Sequence, residues 1–223
     1  MNNHKKTYLI LILAILILSI FVSLAIKQTN QIKFNKKTQP IINSNTTAIP
    51  IDKTDPILGN PGAPITIVEF LNFGVCKEKC RLNQQKLMNF VKQSPKKVRL
   101  VWKDAPSGSI LLSNNNELAH VTAYCISTQE QGKFWNFIDL LTNTKTKINE
   151  DKLYNSFKEL GMSESYMKGC LQSDKSTKKI SDSFELANTL GLKGDLNLFI
   201  NNKQIYLDKD RDILEILNRL LEE

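Results

Sequence analysis

Two cysteines, Cys76 and Cys80, stand where a strand pattern gives way to a helix pattern, and that junction restricts the fold more than any other feature of the chain. Ile65-Thr66-Ile67-Val68-Glu69-Phe70 has the short, β-branched, apolar character of a buried strand. Beyond the pair, Leu87 and Val91 fall on the helical face of Cys80 by the i, i+7, i+11 spacing, in a helix expected to run to about Gln93. A helix N-terminus carries partial positive charge, which stabilises a thiolate and so makes a cysteine nucleophilic. Lys77-Glu78-Lys79 separates the two cysteines. Residues four apart on a helix have Cα atoms ~6 Å from one another, inside the ~4.4–6.8 Å window of a disulfide.

The N-terminal sequence points to export. Met1–Lys6 is polar and basic, and Tyr8–Ile26 is apolar apart from two serines. About 19 residues at ~1.5 Å rise span a ~30 Å hydrocarbon core. That length favours an uncleaved signal anchor over a cleaved signal peptide, although Ser23-Leu24-Ala25 has small-x-small cleavage character. A short basic tail ahead of a long polar domain keeps the tail in the cytoplasm and the domain outside, anchored to the membrane. Residues 27–54, rich in Asn, Gln, Thr, Lys and Pro, read as a flexible linker.

The net charge of +8 is not a nucleic-acid signature. Residues 1–53 hold seven lysines against Asp52 alone, so +6 of it belongs to the leader and linker, where it can meet anionic headgroups. Four cysteines, all beyond the apolar run, form an even set in an oxidising compartment. Of the three pairings they allow, the expected one joins Cys76 to Cys80, which are local, and Cys125 to Cys170, each on its own helical pattern.

Turn chemistry at 55–64 precedes the first strand, and Lys97–Lys103 forms a second strand after the Ser94-Pro95 break. Helices follow from Asn114 to Ser173. Asn116 is expected to cap the first, Asn149 the helix from Glu150, and Ser163 the helix from Glu164. A helix from about Lys175 stops at Gly191, two short strands pair across Asn202-Lys203, and an amphipathic helix closes the chain. This order predicts an α/β thioredoxin fold over residues 55–223, interrupted by a helical subdomain at about 114–175 and preceded by the transmembrane or signal segment at 1–26.

From about Asp55 to Asn202 the chain resembles the DsbA-like thiol:disulfide oxidoreductases of the thioredoxin superfamily. The resemblance is carried by Asp55-Pro56-Ile57-Leu58-Gly59-Asn60-Pro61 with Ala63-Pro64-Ile65-Thr66-Ile67-Val68-Glu69-Phe70, then by Val98-Arg99-Leu100-Val101 and Cys125 with Glu130-Gln131-Gly132-Lys133-Phe134-Trp135. Cys170-Leu171 and Leu190-Gly191-Leu192-Lys193-Gly194 ahead of Leu198-Phe199-Ile200-Asn201 complete it. Two positions depart from the family pattern. The usual C-x-x-C is C-x3-C here, and Asp195-Leu196 stands where the family has Thr-Pro with a cis proline. A cis bond before leucine costs about 2.5–4 kcal/mol, so a trans loop is expected.

The resemblance implies a protein thiol–disulfide oxidoreductase that oxidises or isomerises disulfides in exported cysteine-containing proteins and is served by a membrane redox partner. No organic cofactor or obligatory metal is implied. Cys76 would form the mixed disulfide and Cys80 resolve it, with Glu69 as a buried proton relay to Cys80 if its side chain turns inward. The Asp195-Leu196 loop would face the substrate. Cys125–Cys170 reads as a structural disulfide, and Phe134, Trp135 and Trp102 as core residues. Two other readings stand beside this one. C-x3-C at this junction is also found in Sco-type copper proteins, where Cys76, Cys80 and His120 would be the ligands. His120 lies ~200° round its helix from Leu118, which places it on the surface instead. The remaining reading is a non-catalytic DsbA-like binding module.

Overall fold

The computed structural model describes residues 19–21, 42–105, 115–143, 148–207 and 212–222. Most of the anchor or signal segment and the linker up to Ile41 lie outside these residues. No helix among the described residues is long and apolar enough to cross a membrane. One compact unit spans Ile41–Glu223.

Alternation along one strand organises that unit. The strands are β1 (Ile42–Thr46), β2 (Ile57–Gly59), β3 (Ile65–Leu71), β4 (Val98–Asp104), β5 (Leu196–Ile200) and β6 (Lys203–Ile205), in the sheet order β1-β6-β5-β3-β4-β2. β3 runs parallel to β4 and antiparallel to β5, so it is paired on both edges. Successive side chains of a strand point to opposite faces. Ile67 and Leu71 join the larger core on one face, whereas Val68 and Phe70 join a smaller core with Ile49, Val101, Ala187 and Phe199 on the other.

The helices are α1 (Glu78–Gln93), α2 (Asn115–Gln129), α3 (Gln131–Thr142), α4 (Glu150–Glu159), α5 (Glu164–Leu171), α6 (Asp174–Thr189) and α7 (Ile213–Glu222). α1 connects β3 to β4 and buries Cys80, Leu87 and Val91 together, as their spacing predicts. The Asn149 side chain accepts from the Lys152 N–H and the Ser163 side chain from the Tyr166 N–H, so both caps form. α2 to α5 make the helical insert, and α2 packs against α3, α4, α5 and α6. A disulfide between Cys125 and Cys170 ties α2 to α5, with Cα atoms 5.8 Å apart. Trp102, Phe134 and Trp135 meet edge to face in the core.

Several sequence expectations change. The linker expected through Thr54 is shorter, because Ile42–Thr46 pairs antiparallel with β6 and Ile49 is buried. Turn chemistry at 55–64 conceals a short edge strand, β2, which pairs with β4. Gly59 lets β2 approach that closely, since a Cβ there would lie 2.5 Å from the Val98 carbonyl oxygen. Asn116 falls inside the first turn of α2 and is not its cap. The β5–β6 turn is centred on Asn201 and Asn202, both with positive φ, one residue earlier than expected.

His120 is the largest correction. It is fully buried, not on the surface. A wheel places polar residues outward only when a helix has an outward side. α2 is surrounded by four helices and is buried continuously from Ala119 to Ser127.

Candidate active site around the Cys76–Cys80 disulfide

β3 delivers the chain to the site, and Asn72 turns it. The Asn72 side chain accepts from the Gly74 N–H at 3.0 Å, and its backbone carbonyl accepts from the Cys76 N–H at 3.0 Å. This Asx turn places Cys76 just ahead of α1, whose N-cap is Lys77 in an extended conformation. Cys76 therefore precedes the helix instead of occupying its first turn. Cys76 and Cys80 form a disulfide with Cα atoms 5.2 Å apart. Cys76 is half-buried and Cys80 is 2% exposed, so Cys76 is the more accessible of the two.

Glu69 shares the strand parity of Ile67 and Leu71 and so points to the face that α1 covers. It is fully buried between Trp102 on β4 and Leu198 on β5. Gln84, one turn beyond Cys80 on the buried side of α1, donates to Glu69 Oε1 at 3.0 Å. Burial pushes the Glu69 carboxyl up from 4.5 to about 8, against the pull of the Gln84 hydrogen bond. The carboxyl thus holds its proton at neutral pH, beneath the helix that carries Cys80. Gln84 was legible in the sequence as the i+4 neighbour of Cys80, and Asn72 as an Asx-turn residue before Gly74. Neither announced its role without the partner in place.

The Asp195-Leu196 loop stands beside the cysteine turn. The Asp195 carbonyl accepts from the Asn72 N–H at 2.9 Å, and Leu196 pairs with Leu71 as β5 begins. All described peptide bonds are trans. A groove of about 450 Å³ opens here, lined by Lys79, Cys80, Asn83, Asp195, Leu196 and Tyr206 among others. The loop and Cys80 thus line one concavity, and Cys76 is not part of its wall.

The structure does not bring His120 to the cysteines. Its Nδ1 donates to Asp104 Oδ1 at 2.7 Å, an oxygen that also accepts from Trp102 Nε1 at 3.0 Å, and its ring packs 4.6 Å from that of Phe73. No group of three or more His, Cys, Asp or Glu side chains among the described residues is placed to hold a metal ion. The three-ligand set Cys76, Cys80 and His120 is therefore not assembled.

A thioredoxin family profile matches residues 52–220. No curated protein matches the chain significantly by sequence. Among solved structures, BdbD from Bacillus subtilis in its oxidised form is 18% identical, with a TM-score of 0.64 over 81% of this chain and 100% of that one. The thiol-disulfide exchange protein α-DsbA2 from Wolbachia pipientis is 21% identical, with a TM-score of 0.62 over 77% of this chain and 88% of that one. A thioredoxin-like oxidoreductase from Silicibacter pomeroyi is 24% identical, with a TM-score of 0.61 over 77% and 95%. At these identities the likeness is one of fold. With the family profile spanning most of the chain, the chain belongs to the thioredoxin family.

Proposed function

We propose that this protein is an exported thiol–disulfide oxidoreductase acting on cysteine-containing proteins outside the cytoplasm, held at the membrane by its N-terminal segment. The observation that carries the proposal is the asymmetry of the disulfide: Cys76 is half-exposed ahead of α1, whereas Cys80 is buried on the side of a protonated carboxyl. A substrate thiolate attacks Cys76 Sγ, the Cys76–Cys80 bond breaks, and Cys80 leaves with the electron pair. The buried, protonated Glu69 carboxyl is the proton source for that thiolate. A second substrate thiolate then attacks the substrate sulfur of the mixed disulfide and Cys76 leaves. The substrate loses two electrons to form its disulfide, and the protein holds them as two thiols. A membrane redox partner takes them through a disulfide of its own.

The test is oxidation of reduced ribonuclease and repair of scrambled ribonuclease, with glutathione equilibration of the Cys76/Cys80 pair mapped by mass spectrometry. The reading expects a reversible Cys76–Cys80 couple, no exchange in Cys76→Ser, and accumulation of a mixed disulfide in Cys80→Ser. Glu69→Gln is expected to slow the first exchange, in which Cys80 leaves, and to spare the second, in which Cys76 leaves. A Cys76–Cys80 pair that never opens or closes under any glutathione ratio would exclude the mechanism.

A further inference from the structure

The spacing of the two cysteines leaves Cys76 off the helix. Lys77 is the N-cap of α1, extended and without a side-chain cap, so Cys76 stands one residue ahead of it. The positive end of a helix acts mainly within its first turn, and this displacement weakens its hold on a Cys76 thiolate. Arg81 reaches back across the same gap. Its guanidinium donates to the Cys76 carbonyl oxygen at 3.4 Å. The side chain makes no other hydrogen bond and no ion pair among the described residues, so no carboxylate there neutralises it.

The carbonyl oxygen and the Sγ of one cysteine are at most ~5 Å apart by covalent geometry. Added to the 3.4 Å bond, this puts the donating nitrogen of Arg81 within ~8 Å of Cys76 Sγ, about the Debye length at physiological salt. A guanidinium keeps its charge throughout the range in which a thiol titrates. The other ionisable groups around the turn do not duplicate it. Glu69, beneath α1, holds its proton at neutral pH. Lys77, Glu78 and Lys79 are exposed and alternate in sign. Lys193 and Asp195 line the groove beside Cys80, whose wall does not include Cys76.

Building on the exchange function above, we propose that Arg81 is the cation that stabilises the Cys76 thiolate, and with it the reduced form of the protein. In the second exchange a substrate thiolate attacks the substrate sulfur of the mixed disulfide. The bond from that sulfur to Cys76 breaks, and Cys76 leaves with the electron pair. Arg81 meets the departing charge with a fixed positive one and exchanges no proton. A more stable leaving thiolate speeds transfer of the disulfide to substrate, and a stabilised dithiol form makes the protein a stronger oxidant.

Two measurements on the full-length protein test this, each on wild type, Arg81→Gln, Arg81→Lys and Lys168→Gln. One is glutathione equilibration of the Cys76/Cys80 pair at pH 8, in low salt and in about 1 M KCl. The other is the rate of Cys76 alkylation by iodoacetamide against pH in a Cys80→Ser background, which follows the thiolate. At low salt Arg81→Gln is expected to need about threefold higher [GSH]²/[GSSG] for half-reduction, the scale of one partly exposed charge pair. Its alkylation midpoint should move to higher pH. Arg81→Lys keeps the charge and should recover more than half of both shifts, and Lys168→Gln, which removes an exposed charge elsewhere, should show neither. At about 1 M salt the Debye length shrinks to ~3 Å, and the difference should fall below about 1.5-fold. A packing defect would respond neither to salt nor to lysine. Unchanged equilibrium and midpoint in Arg81→Gln, or an Arg81→Lys variant that behaves like Arg81→Gln, would overturn the assignment. Failure of the exchange function is read separately, as a wild-type pair that never closes under any glutathione ratio.

Discussion

Gln84 donates to one oxygen of Glu69 at 3.0 Å, and the other oxygen, Oε2, has no partner among the described residues. A buried carboxylate with one hydrogen bond is poorly stabilised, whereas the neutral acid is tolerated, and a carboxyl pushed up to about 8 is the result.

That value fixes a pH dependence. The folded carboxyl keeps its proton up to about pH 8, while the unfolded one releases it near 4.5. Between these values the folded state binds more protons, so its stability is full below pH 4.5 and declines as pH rises through 8. The decline from pH 4.5 to 7 amounts to roughly 3 kcal/mol. Glu69→Gln should flatten it and raise stability at pH 8, as measured by urea unfolding at pH 5, 7 and 8.5. Parallel pH profiles for the two proteins would contradict the buried-acid account.

The Cys125–Cys170 bridge closes a loop with a sequence separation of 45 and lies within the insert, on helices that do not carry the Cys76–Cys80 pair. The loop-entropy relation assigns such a bridge about 4 kcal/mol. The double variant Cys125→Ala with Cys170→Ala should lose stability on that scale in guanidinium titrations. Its rate of exchange at Cys76 should stay within about twofold of wild type, because α1 and the Asn72 turn are untouched.

Lys103 and Asp55 are both buried and 2.6 Å apart, with Lys179 3.2 Å from the second oxygen of the same carboxyl. Lys103→Met leaves Asp55 with the less buried Lys179 as its cation, beside the Asp52 N–H that donates to Oδ2. The expected cost is about 3–5 kcal/mol, the usual penalty for breaking a buried pair, read as a drop in the urea midpoint. Asp55→Asn added to Lys103→Met should recover part of that loss.

Gly74 permits the close passage of the cysteine turn over α2. A Cβ at this position would lie 2.7 Å from Asn116 Cγ. Gly74→Ala should cost about 1–3 kcal/mol through this clash, and adding Asn116→Ala should return more than half of it. Full additivity in that double-mutant cycle would show that the two residues do not press on one another.

The parts of this fold legible in the sequence are those with a local cause. Cys80, Leu87 and Val91 share a helical face by spacing alone, and Asn149 and Ser163 cap by side-chain chemistry that needs only their own turn. Glu69 was half legible: alternation groups it with Ile67 and Leu71, but which group faces α1 depends on where that helix settles. His120 was misplaced for the complementary reason, because a helix wrapped by four others has no outward side for a wheel to find. Strands β1 and β2 are short edge strands in segments rich in Asn, Thr, Pro and Gly, where tertiary pairing outweighs local preference.

Strand β1 has a practical consequence for anyone cutting this protein down to its domain. Turn residues from Asp55 onward invite a truncation there, and such a fragment would strip the outer neighbour from β6. The bared N–H and C=O groups would then recruit strands from other molecules, giving edge-to-edge aggregates instead of monomers. An expression boundary placed before Ile42 keeps β6 paired by its own chain.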